Sequence, residues 1–265
     1  MSPWLDACRA AVEDVRQILD DLPTRAEREL VVGHGLGGDD TTAIDAAAER
    51  AILAQLDATS TDFTLVSEEL GRRASRDGSG LVVVVDPIDG SINAKRGIPF
   101  FALSVAVAEG PAMEDVVFGY VYDFGSREEW TASRGEGARL NGEPLGGVKP
   151  KERIEILSLE ATETDLVARH APGLVGLAYR LRIMGSLALS LCHLAAGRVD
   201  GVCSLKGARA VDIAAAQLLV RECGLAIDLP DAAPFASAPL DLEGRSRVVA
   251  AGTPSLCREL AAALS

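Results

Sequence analysis

The sequence predicts an α/β fold in which helices and sheets pack in layers. Short apolar segments rich in valine, which are typical of buried strands, recur along the chain. In the second half they alternate with segments of helical periodicity, an order that indicates a layered α/β architecture. Of the 265 residues, 48% are hydrophobic and 25% are charged, which is ordinary for a globular protein. A chain of this length forms one large domain or two modest ones.

Residues 1–150 are predicted to form an N-terminal α+β half. An acidic amphipathic helix is predicted over 1–22, and an alanine-rich helix over 42–56. Short β-branched or alternating segments predict the strands 63–66, 81–85, 101–108, 116–122 and 127–131. Asn141-Gly142 is typical of a tight hairpin turn, which would end this meander of strands.

Residues 151–265 are predicted to form a C-terminal α/β half, because strands and helices alternate there. The predicted strands are 154–159, 177–183, 199–204 and 247–251. The predicted helices are 164–170, 186–196, 210–222 and 255–264. Gly224 follows the third of these helices at the place where a glycine commonly ends a helix.

The charge and the apolar runs exclude several classes of function. With 26 basic and 39 acidic residues the formal charge is −13, which argues against nonspecific binding to nucleic acid or to anionic membranes. No wholly apolar run exceeds five residues, whereas a membrane helix needs roughly 20. The five cysteines are scattered, which predicts reduced thiols and a cytoplasmic protein. An anionic substrate would require a local reversal of the field, which bound divalent cations could provide.

The segment 85–91 carries the sharpest chemical signal. Asp86 and Asp89 directly follow a predicted strand, and Pro87 between them stiffens the turn. Both carboxylates would point just beyond the strand end, where open α/β sheets bind ligands. Two carboxylates this close repel each other unless a hard cation such as Mg²⁺ lies between them. The N–H groups of Gly90 and Ser91 are then available to a phosphate, although an ordinary proline turn is the alternative.

Further acidic residues occupy comparable places in other elements. Glu68 follows the predicted strand 63–66, Asp212 lies near the start of helix 210–222, and Asp45 lies in the first turns of helix 42–56. Each of them alone could be a surface acid or a helix cap. Together with Asp86 and Asp89 they supply the carboxylates that a two-metal phosphoester site needs.

Several segments, in this order, resemble the inositol monophosphatase superfamily. They are SEELG at 67–71, DPIDGS at 86–91, the seventeen-residue segment 185–201 and VDIAAA at 211–216. The resemblance runs from about residue 39 to 228, and DPIDGSIN and GIPFFA are most similar to the archaeal-type dual inositol monophosphatase and fructose-1,6-bisphosphatase branch. It implies a layered αβαβα sandwich and a Mg²⁺-dependent phosphomonoesterase acting on inositol 1-phosphate, fructose 1,6-bisphosphate or both.

The resemblance also implies a set of metal ligands. Glu68, Asp86 and the carbonyl group of Ile88 would bind one Mg²⁺. Asp86, Asp89 and Asp212 would bind the second, so that Asp86 bridges the two ions. Mn²⁺ is expected to substitute for Mg²⁺, because both ions take oxygen ligands.

Catalytic and phosphate-binding roles follow from the same resemblance. Glu68 and the hydroxyl group of Ser91, oriented by Asp45, would position and activate a water molecule that attacks the phosphorus. The N–H groups of Gly90 and Ser91 would hold the phosphate.

The glycine-rich segment 33–38 predicts a mobile loop before the second helix. In the family the corresponding loop helps to bind a third, weaker metal ion, and this implies a contribution from Asp39 or Asp40. Many relatives carry a lysine a few residues earlier, where this chain offers only His34. This difference affects the chemistry expected of the loop and removes none of the core metal ligands.

Substrate recognition is expected from Ser186, Lys206 and Arg209. The two cations stand close to Asp212 in the sequence and suit a second phosphate or sugar hydroxyls, with a salt bridge at the rim as the alternative. Other small phosphate esters, such as a nucleotide 3′-phosphate or histidinol phosphate, stay open as substrates. A catalytically silent regulatory homologue is the rival from another class, and the resemblance also implies a homodimer.

Overall fold

A computed structural model describes residues 3–34, 40–76, 78, 80–147, 149, 151–160, 163–232 and 234–264 of the chain. A short antiparallel hairpin of β1 (Val31–His34) and β2 (Asp40–Thr42) precedes two larger sheets. The strands of the first sheet are β3 (Thr64–Ser67), β4 (Gly71–Arg73), β5 (Val82–Asp89), β6 (Ala102–Ala108), β7 (Val116–Asp123), β8 (Glu128–Ser133), β9 (Gly137–Leu140) and β10 (Glu143–Pro144). The strands of the second are β11 (Ile154–Glu160), β12 (Ala178–Arg182), β13 (Gly201–Ser204), β14 (Ala226–Asp228) and β15 (Val249–Ala251).

Eight α-helices are found among the described residues. They are α1 (Pro3–Asp21), α2 (Arg25–Arg28), α3 (Ala43–Asp57), α4 (Ser91–Arg96), α5 (Thr164–Leu174), α6 (Leu187–Ala195), α7 (Ala210–Glu222) and α8 (Pro254–Ala263). Within the described ranges, none of these helices is both long and apolar enough to cross a membrane.

The two large sheets differ in the direction of their strands. The eight-stranded sheet has the order β10-β9-β8-β7-β6-β5-β3-β4, and only β3 and β5 are parallel neighbours in it. The five-stranded sheet has the order β12-β11-β13-β15-β14, with β11 parallel to both of its neighbours. Parallel neighbours need long connections. The chain passes from β3 to β5 through β4, from β11 to β12 through α5, and from β12 to β13 through α6.

The helices and sheets form five layers. Helices α1 and α3 pack on one face of the eight-stranded sheet, α6 and α7 lie between the two sheets, and α5 and α8 cover the outer face of the five-stranded sheet. Successive side chains of β5 point to opposite faces of the sheet, so this strand contributes to two hydrophobic cores. Val83 and Val85 join the core beneath α1 and α3, whereas Val82 and Val84 join the core beneath α6 and α7.

Gly119 on β7 lets α7 approach the eight-stranded sheet closely. A Cβ atom at this position would lie 2.6 Å from the carbonyl oxygen of Ala215. The backbone of α7 near Ala215 therefore rests directly on the strand.

The predicted strands and helices are present, with ends shifted by a few residues. The hairpin β1–β2, the short strands β4 and β14 and the short helix α2 were not predicted. The first sheet uses residues 64–144 and the second uses residues 154–251, while α6 and α7 contact both sheets. The division into halves at residue 150 stays a prediction.

Candidate active site

The parallel pair β3–β5 brings Glu68 and Asp86 to the same end of these two neighbouring strands. Ser67 is paired with Val85 in the register of these strands. Glu68 and Asp86 are the residues that immediately follow this pair, so both lie just beyond the parallel pairing of the two strands. Glu68 follows β3 as expected, whereas Asp86 and Asp89 lie within β5 and not after it, because β5 continues to Asp89 through its pairing with β6.

A bulge in β5 turns the chain between Asp86 and Asp89. Asp86 is paired with Ser104 and Asp89 with Ala102, so β5 contains one residue more than β6 over this stretch. The N–H group of Ile88 donates to Oδ1 of Asp86 at 3.1 Å. The bulge directs two carboxylates spaced by three residues toward the same end of the strand.

Gly90 connects the bulge to α4 in the left-handed region of the backbone, with φ at 87°. A Cβ atom there would lie 3.0 Å from the carbonyl oxygen of Gly185 and 3.1 Å from that of Phe100. Both the conformation and the space therefore require glycine. The first backbone hydrogen bond of α4 runs from Asn93 N to Gly90 O at 2.9 Å, so the N–H groups of Gly90 and Ser91 lie ahead of it.

Arg209 links the start of α7 to the edge of the eight-stranded sheet. Its backbone N–H donates to Oδ2 of Asp212 at 2.7 Å. Its Nη2 donates to Oε1 of Glu68 at 2.6 Å and to Oδ1 of Asp212 at 3.1 Å. Glu68 and Asp212, two of the predicted metal ligands, thus converge on one guanidinium group. A contact of Arg209 with substrate stays a prediction.

Burial and mutual repulsion disfavour the charged forms of these acids. Burial raises the pKa of Glu68 to about 7, in spite of the opposing effect of Arg209. Burial also raises the pKa of Asp89 to about 7, and that of Asp86 well above its ordinary range. Asp86 is further affected by the charges of Glu68, Asp89 and Asp212. The predicted ligands therefore interact with one another electrostatically.

The chemistry of this donor set fits hard divalent cations. Carboxylate and carbonyl oxygens are the ligands that Mg²⁺ and Mn²⁺ prefer in proteins. The positively charged guanidinium group of Arg209 lies between Glu68 and Asp212 and forms an ion pair with each. A cluster that raises the pKa of its acids and attracts a side-chain cation would bind divalent ions favourably.

Asp89 is also held by the N-terminus of α6, which lies between the two sheets. The hydroxyl group of Ser186 donates to Oδ2 of Asp89 at 2.5 Å, and the N–H group of Ala188 donates to the same oxygen at 2.7 Å. Ser186 is 1% exposed and also accepts a hydrogen bond from Leu189 N. Its hydroxyl group therefore positions a predicted metal ligand, and its contact with substrate stays a prediction.

Asp45 lies in the first turn of α3 and is paired with a cation from α4. The Nζ atom of Lys95 is 3.0 Å from Oδ2 of Asp45, and the hydroxyl group of Thr42 donates to the same oxygen at 2.6 Å. Ser91 lies one turn before Lys95, so both residues share a face of α4. The structure brings Asp45 to this face, while its role in orienting Ser91 stays a prediction.

Two buried glutamates support the site and were not predicted. Glu49 on α3 accepts hydrogen bonds from the hydroxyl group of Ser67 and from Leu70 N, and so holds the turn that carries Glu68. Glu160 at the end of β11 accepts a hydrogen bond from Gly185 N at 2.9 Å. Glu49 stands four residues after Asp45 in the sequence and shares its helix face, which is the signal that could have identified it.

A cavity of about 500 Å³ opens beside the predicted ligands. The residues lining it include Asp89, Ser91, Glu160, Lys206 and Asp212. At its rim Lys206 forms an exposed ion pair with Glu163 at 2.7 Å. The volume and the polar lining suit a small polar ligand.

Some candidate positions lie elsewhere. The predicted contributions of Asp39 and of the Asp40 side chain fall outside the described residues. Within the described part of the chain, a compact group of ligand-type side chains is formed by Asp123, Glu128 and His193, whose ligand atoms lie within 4.8 Å of one another. These are not the predicted ligands. Glu128 is already bound by Arg198 through two hydrogen bonds, and Asp123 binds the backbone of its own turn.

Comparison with known proteins identifies a matching family and several relatives. The model of the inositol monophosphatase family matches residues 3–265. A fructose-1,6-bisphosphatase/inositol-1-monophosphatase of Methanothermobacter thermautotrophicus is 31% identical over 263 residues, covering 96% of this chain and 93% of the relative. A protein of Pasteurella multocida named Nus factor SuhB is 38% identical over 200 residues, covering 70% of each chain.

A solved structure shares the architecture. The crystal structure of the MJ0109 gene product, named inositol monophosphatase-fructose 1,6 bisphosphatase, superposes with a TM-score of 0.85 at 28% identity. It covers 99% of this chain and 100% of its own. These matches confirm the predicted resemblance and the predicted layered α/β fold.

Proposed function

The chain belongs to the inositol monophosphatase family, whose members are phosphatases, and we propose that it is a Mg²⁺-dependent phosphomonoesterase of small polyol or sugar phosphates. The leading substrates are inositol 1-phosphate and fructose 1,6-bisphosphate, which are the two activities named for its relative in Methanothermobacter. The family is metal-dependent, and the identity and number of the ions belong to this proposal.

One observation carries the proposal. Asp89 on β5 and Asp212 on α7 line the cavity together with Gly90 and Ser91. Glu68 after β3 shares the guanidinium group of Arg209 with Asp212, and burial together with the charges of Glu68, Asp89 and Asp212 raises the pKa of Asp86. So much negative charge is unfavourable in a site for an anionic substrate unless cations are bound. A two-metal phosphatase resolves that conflict, because the ions compensate the carboxylates and attract the phosphate.

The proposed metal ligands follow the sequence prediction. Glu68, Asp86 and the Ile88 carbonyl group would hold one Mg²⁺, and Asp86, Asp89 and Asp212 the second. When bound, such ions supply Lewis-acid stabilisation of phosphate charge and lower the pKa of a water molecule. A third, weaker ion would be held with the help of the loop that contains Asp39 and Asp40, and Mn²⁺ would replace Mg²⁺.

The side chains and N–H groups of the chain position the reacting groups. Glu68 and the Ser91 hydroxyl group would orient the attacking water and the Glu68 carboxylate would receive its proton, with Asp45 holding the Ser91 hydroxyl group in position. The N–H groups of Gly90 and Ser91, ahead of the first hydrogen bond of α4, would hold a phosphate oxygen. No covalent enzyme intermediate is required, because water is the nucleophile.

The substrate would be recognised around the same cavity. Lys206 lines it and is paired with Glu163, and its ammonium group would bind a second phosphate or a sugar hydroxyl. Ser186 and Arg209 lie directly beside the predicted ligands. Their contact with the substrate is proposed as part of the same recognition.

A phosphate-release assay tests the proposal. We expect release from inositol 1-phosphate, fructose 1,6-bisphosphate or both in Mg²⁺ or Mn²⁺, and its loss in EDTA. A nucleotide 3′-phosphate and histidinol phosphate should be assayed in parallel, because preferred turnover of either would identify a narrower enzyme of the same class. Absence of release from every ester, with metal present and the fold intact, would contradict the proposal.

A regulatory role is the second candidate, and the name of one relative favours it. The similar protein of Pasteurella multocida is named a Nus factor. Glu68, Asp86, Asp89, Asp212, Asp45 and Ser91 are all present here, and a silent homologue has no need of the whole set. A chain that binds no Mg²⁺ and releases no phosphate would favour the regulatory role.

We also propose a cytoplasmic homodimer. All five cysteines are free, which suits a reducing compartment. The outer strand β12 of the five-stranded sheet exposes Tyr179 and Leu181 to solvent, and such an edge needs a partner or protection. Light scattering at micromolar concentration should give twice the mass of one chain, and a monomer mass would contradict this part of the proposal.

A further inference from the structure

Arg209 is placed between two acids that the chain brings together from distant positions. Its guanidinium group contacts Glu68, which lies 141 residues away, and Asp212, three residues away. The side chain of Arg209 is 11% exposed and those of the two acids are 18% exposed each. Arg209 therefore forms two ion pairs that are largely excluded from solvent and have short donor–acceptor distances.

The guanidinium group and a divalent ion would compete for the same oxygens. Oε1 of Glu68 and Oδ1 of Asp212 accept the hydrogen bonds from Nη2 of Arg209. A divalent ion on those carboxylates would be repelled by a guanidinium group that kept both contacts. Either the guanidinium group or the divalent ion must leave these oxygens. If both stayed, the repulsion between them would weaken the binding of the ion.

Release of the guanidinium group requires no change in α7. The backbone N–H of Arg209 donates to Oδ2 of Asp212 independently of the side chain. The start of the helix is thus held by a hydrogen bond from the backbone of Arg209 to the Asp212 carboxylate, while the long side chain of Arg209 has rotatable bonds that let it move. The exchange is therefore a local side-chain motion.

We propose that Arg209 is a built-in counter-cation of the metal site. In the metal-free protein it offsets part of the negative charge of Glu68 and Asp212, and when divalent ions bind it releases both carboxylates. The inference rests on the proposed metal-dependent function. It gives Arg209 a role in controlling metal affinity: the side chain stabilises the empty site and thereby lowers the affinity for the ion.

The substitution Arg209→Gln separates this role from a purely structural one. Without the competing charge, we expect calorimetry on EDTA-stripped protein to show about tenfold tighter Mg²⁺ binding, within the usual range of coupling between two sites. The melting temperature in EDTA should fall at the same time. Arg209→Lys, which keeps a cation at this place, should bind Mg²⁺ with an affinity between those of the wild type and the glutamine variant.

Arg221→Gln is the matched control. It removes the same charge from the other end of α7, about 18 Å along the helix axis. If Arg221→Gln tightens Mg²⁺ binding as much as Arg209→Gln, the effect is one of net charge and the proposal is wrong. If Arg209→Gln binds Mg²⁺ with unchanged or lower affinity, Arg209 supports the loaded site and the proposal is also wrong.

A second measurement uses the unmodified chain. NMR of ¹⁵N-arginine-labelled protein should show the Arg209 side-chain signal, assigned by its loss in Arg209→Lys, change its position when Mg²⁺ is added. A signal that saturating Mg²⁺ leaves unchanged would overturn the inference even if the glutamine variant does not fold. If the wild type binds no Mg²⁺ at all, both the proposed function and the counter-cation role of Arg209 are wrong. If the wild type binds Mg²⁺ and the Arg209 signal does not change, only the counter-cation role is wrong.

Discussion

Asp86 shows most clearly how a single residue couples charge to function. It is 2% exposed, and burial together with Glu68, Asp89 and Asp212 raises its pKa. Asp86→Asn should reduce phosphate release at least about 100-fold, because a bridging ligand is lost. The same change should leave the metal-free melting temperature unchanged or higher, because it removes charge from a crowded cluster. Phosphate release and thermal unfolding in EDTA would measure the two effects.

Asp6→Asn is the control for this prediction. Asp6 is an exposed acid on α1, so its replacement should change neither the activity nor the melting temperature. Near-normal turnover by the Asp86→Asn variant would contradict the assignment of Asp86 as a bridging ligand.

Lys95 is a residue whose role only the structure reveals. Its side chain is 15% exposed and is paired with Asp45, which is 6% exposed, whereas the neighbouring Arg96 is 52% exposed. Lys95→Met should lower the free energy of unfolding by about 1–3 kcal/mol and reduce kcat, because Asp45 loses its partner. Urea denaturation and steady-state kinetics would measure this.

Arg96→Met removes the same charge one residue further along α4 and is expected to have little effect on either quantity. Equal losses in both variants would mean that the charge of α4, and not the pair with Asp45, is responsible. A fall in KM without a fall in kcat would likewise argue against a role of Lys95 in positioning Asp45.

The turn from β5 into α4 is the element that places Gly90 and Ser91 at the site. Gly90→Ala should cost about 1–3 kcal/mol of stability and strongly reduce activity, because the new Cβ atom strains the backbone and presses on Gly185 O. Gly97 at the other end of α4 has φ at 71° but nothing within 4 Å of a Cβ atom. Gly97→Ala should therefore cost only about 1 kcal/mol and leave activity intact. Urea denaturation and phosphate release compare the two variants, and equal activity losses would contradict the role of the Gly90 turn.

Elements with a strong local pattern could be predicted from the sequence. The valine-rich β5 and the alanine-rich α3 were identified, because apolar periodicity and helix propensity are local properties. The hairpin β1–β2 and the strand β4, Gly71–Arg73, were missed, because they are short and their sequences lack an alternating apolar pattern. Pairing with a distant segment, which local propensity does not encode, fixes such strands.

The same distinction applies to the candidate site. Asp86 and Asp89 are recognisable, because strand, proline and acids are adjacent in the sequence. Glu49 and Glu160 are buried acids that accept hydrogen bonds from serine hydroxyl groups and from backbone N–H groups of remote turns. The sequence around these glutamates does not indicate those partners. The contact of Arg209 with Glu68, 141 residues away, likewise depends on the tertiary structure and could not be predicted from local sequence.

At the scale of the whole molecule, the site joins the two sheets. Asp89 on β5 is bound by the N-terminus of α6, and the side-chain amide of Asn93 on α4 donates to Met184 O at 2.7 Å. Glu160 on β11 holds the adjacent Gly185. Changes in charge at the site therefore affect the contact between the two sheets, and the stability of the molecule should report the occupancy of the site.

Metal-free protein should become less stable as the pH rises from about 4.5 to above 7. The pKa of Glu68 is about 7 in the folded chain against an ordinary value of 4.5, and that of Asp89 is also about 7. Between these values the folded state binds more protons than the unfolded state, so the free energy of unfolding falls with rising pH. Bound Mg²⁺ favours the charged carboxylates and should remove this loss or reverse it.

Melting temperatures between pH 5 and 8, in EDTA and in Mg²⁺, would test this prediction. The variant Glu68→Gln should flatten the fall seen in EDTA, because one of the shifted groups is gone, whereas Glu243→Gln at an exposed position should leave it in place. The general repulsion within a chain of charge −13 also grows with pH, and the exposed variant accounts for that contribution. Parallel curves in EDTA and in Mg²⁺ would mean that the clustered acids do not bind the ion, since metal and protons compete for the same carboxylate oxygens.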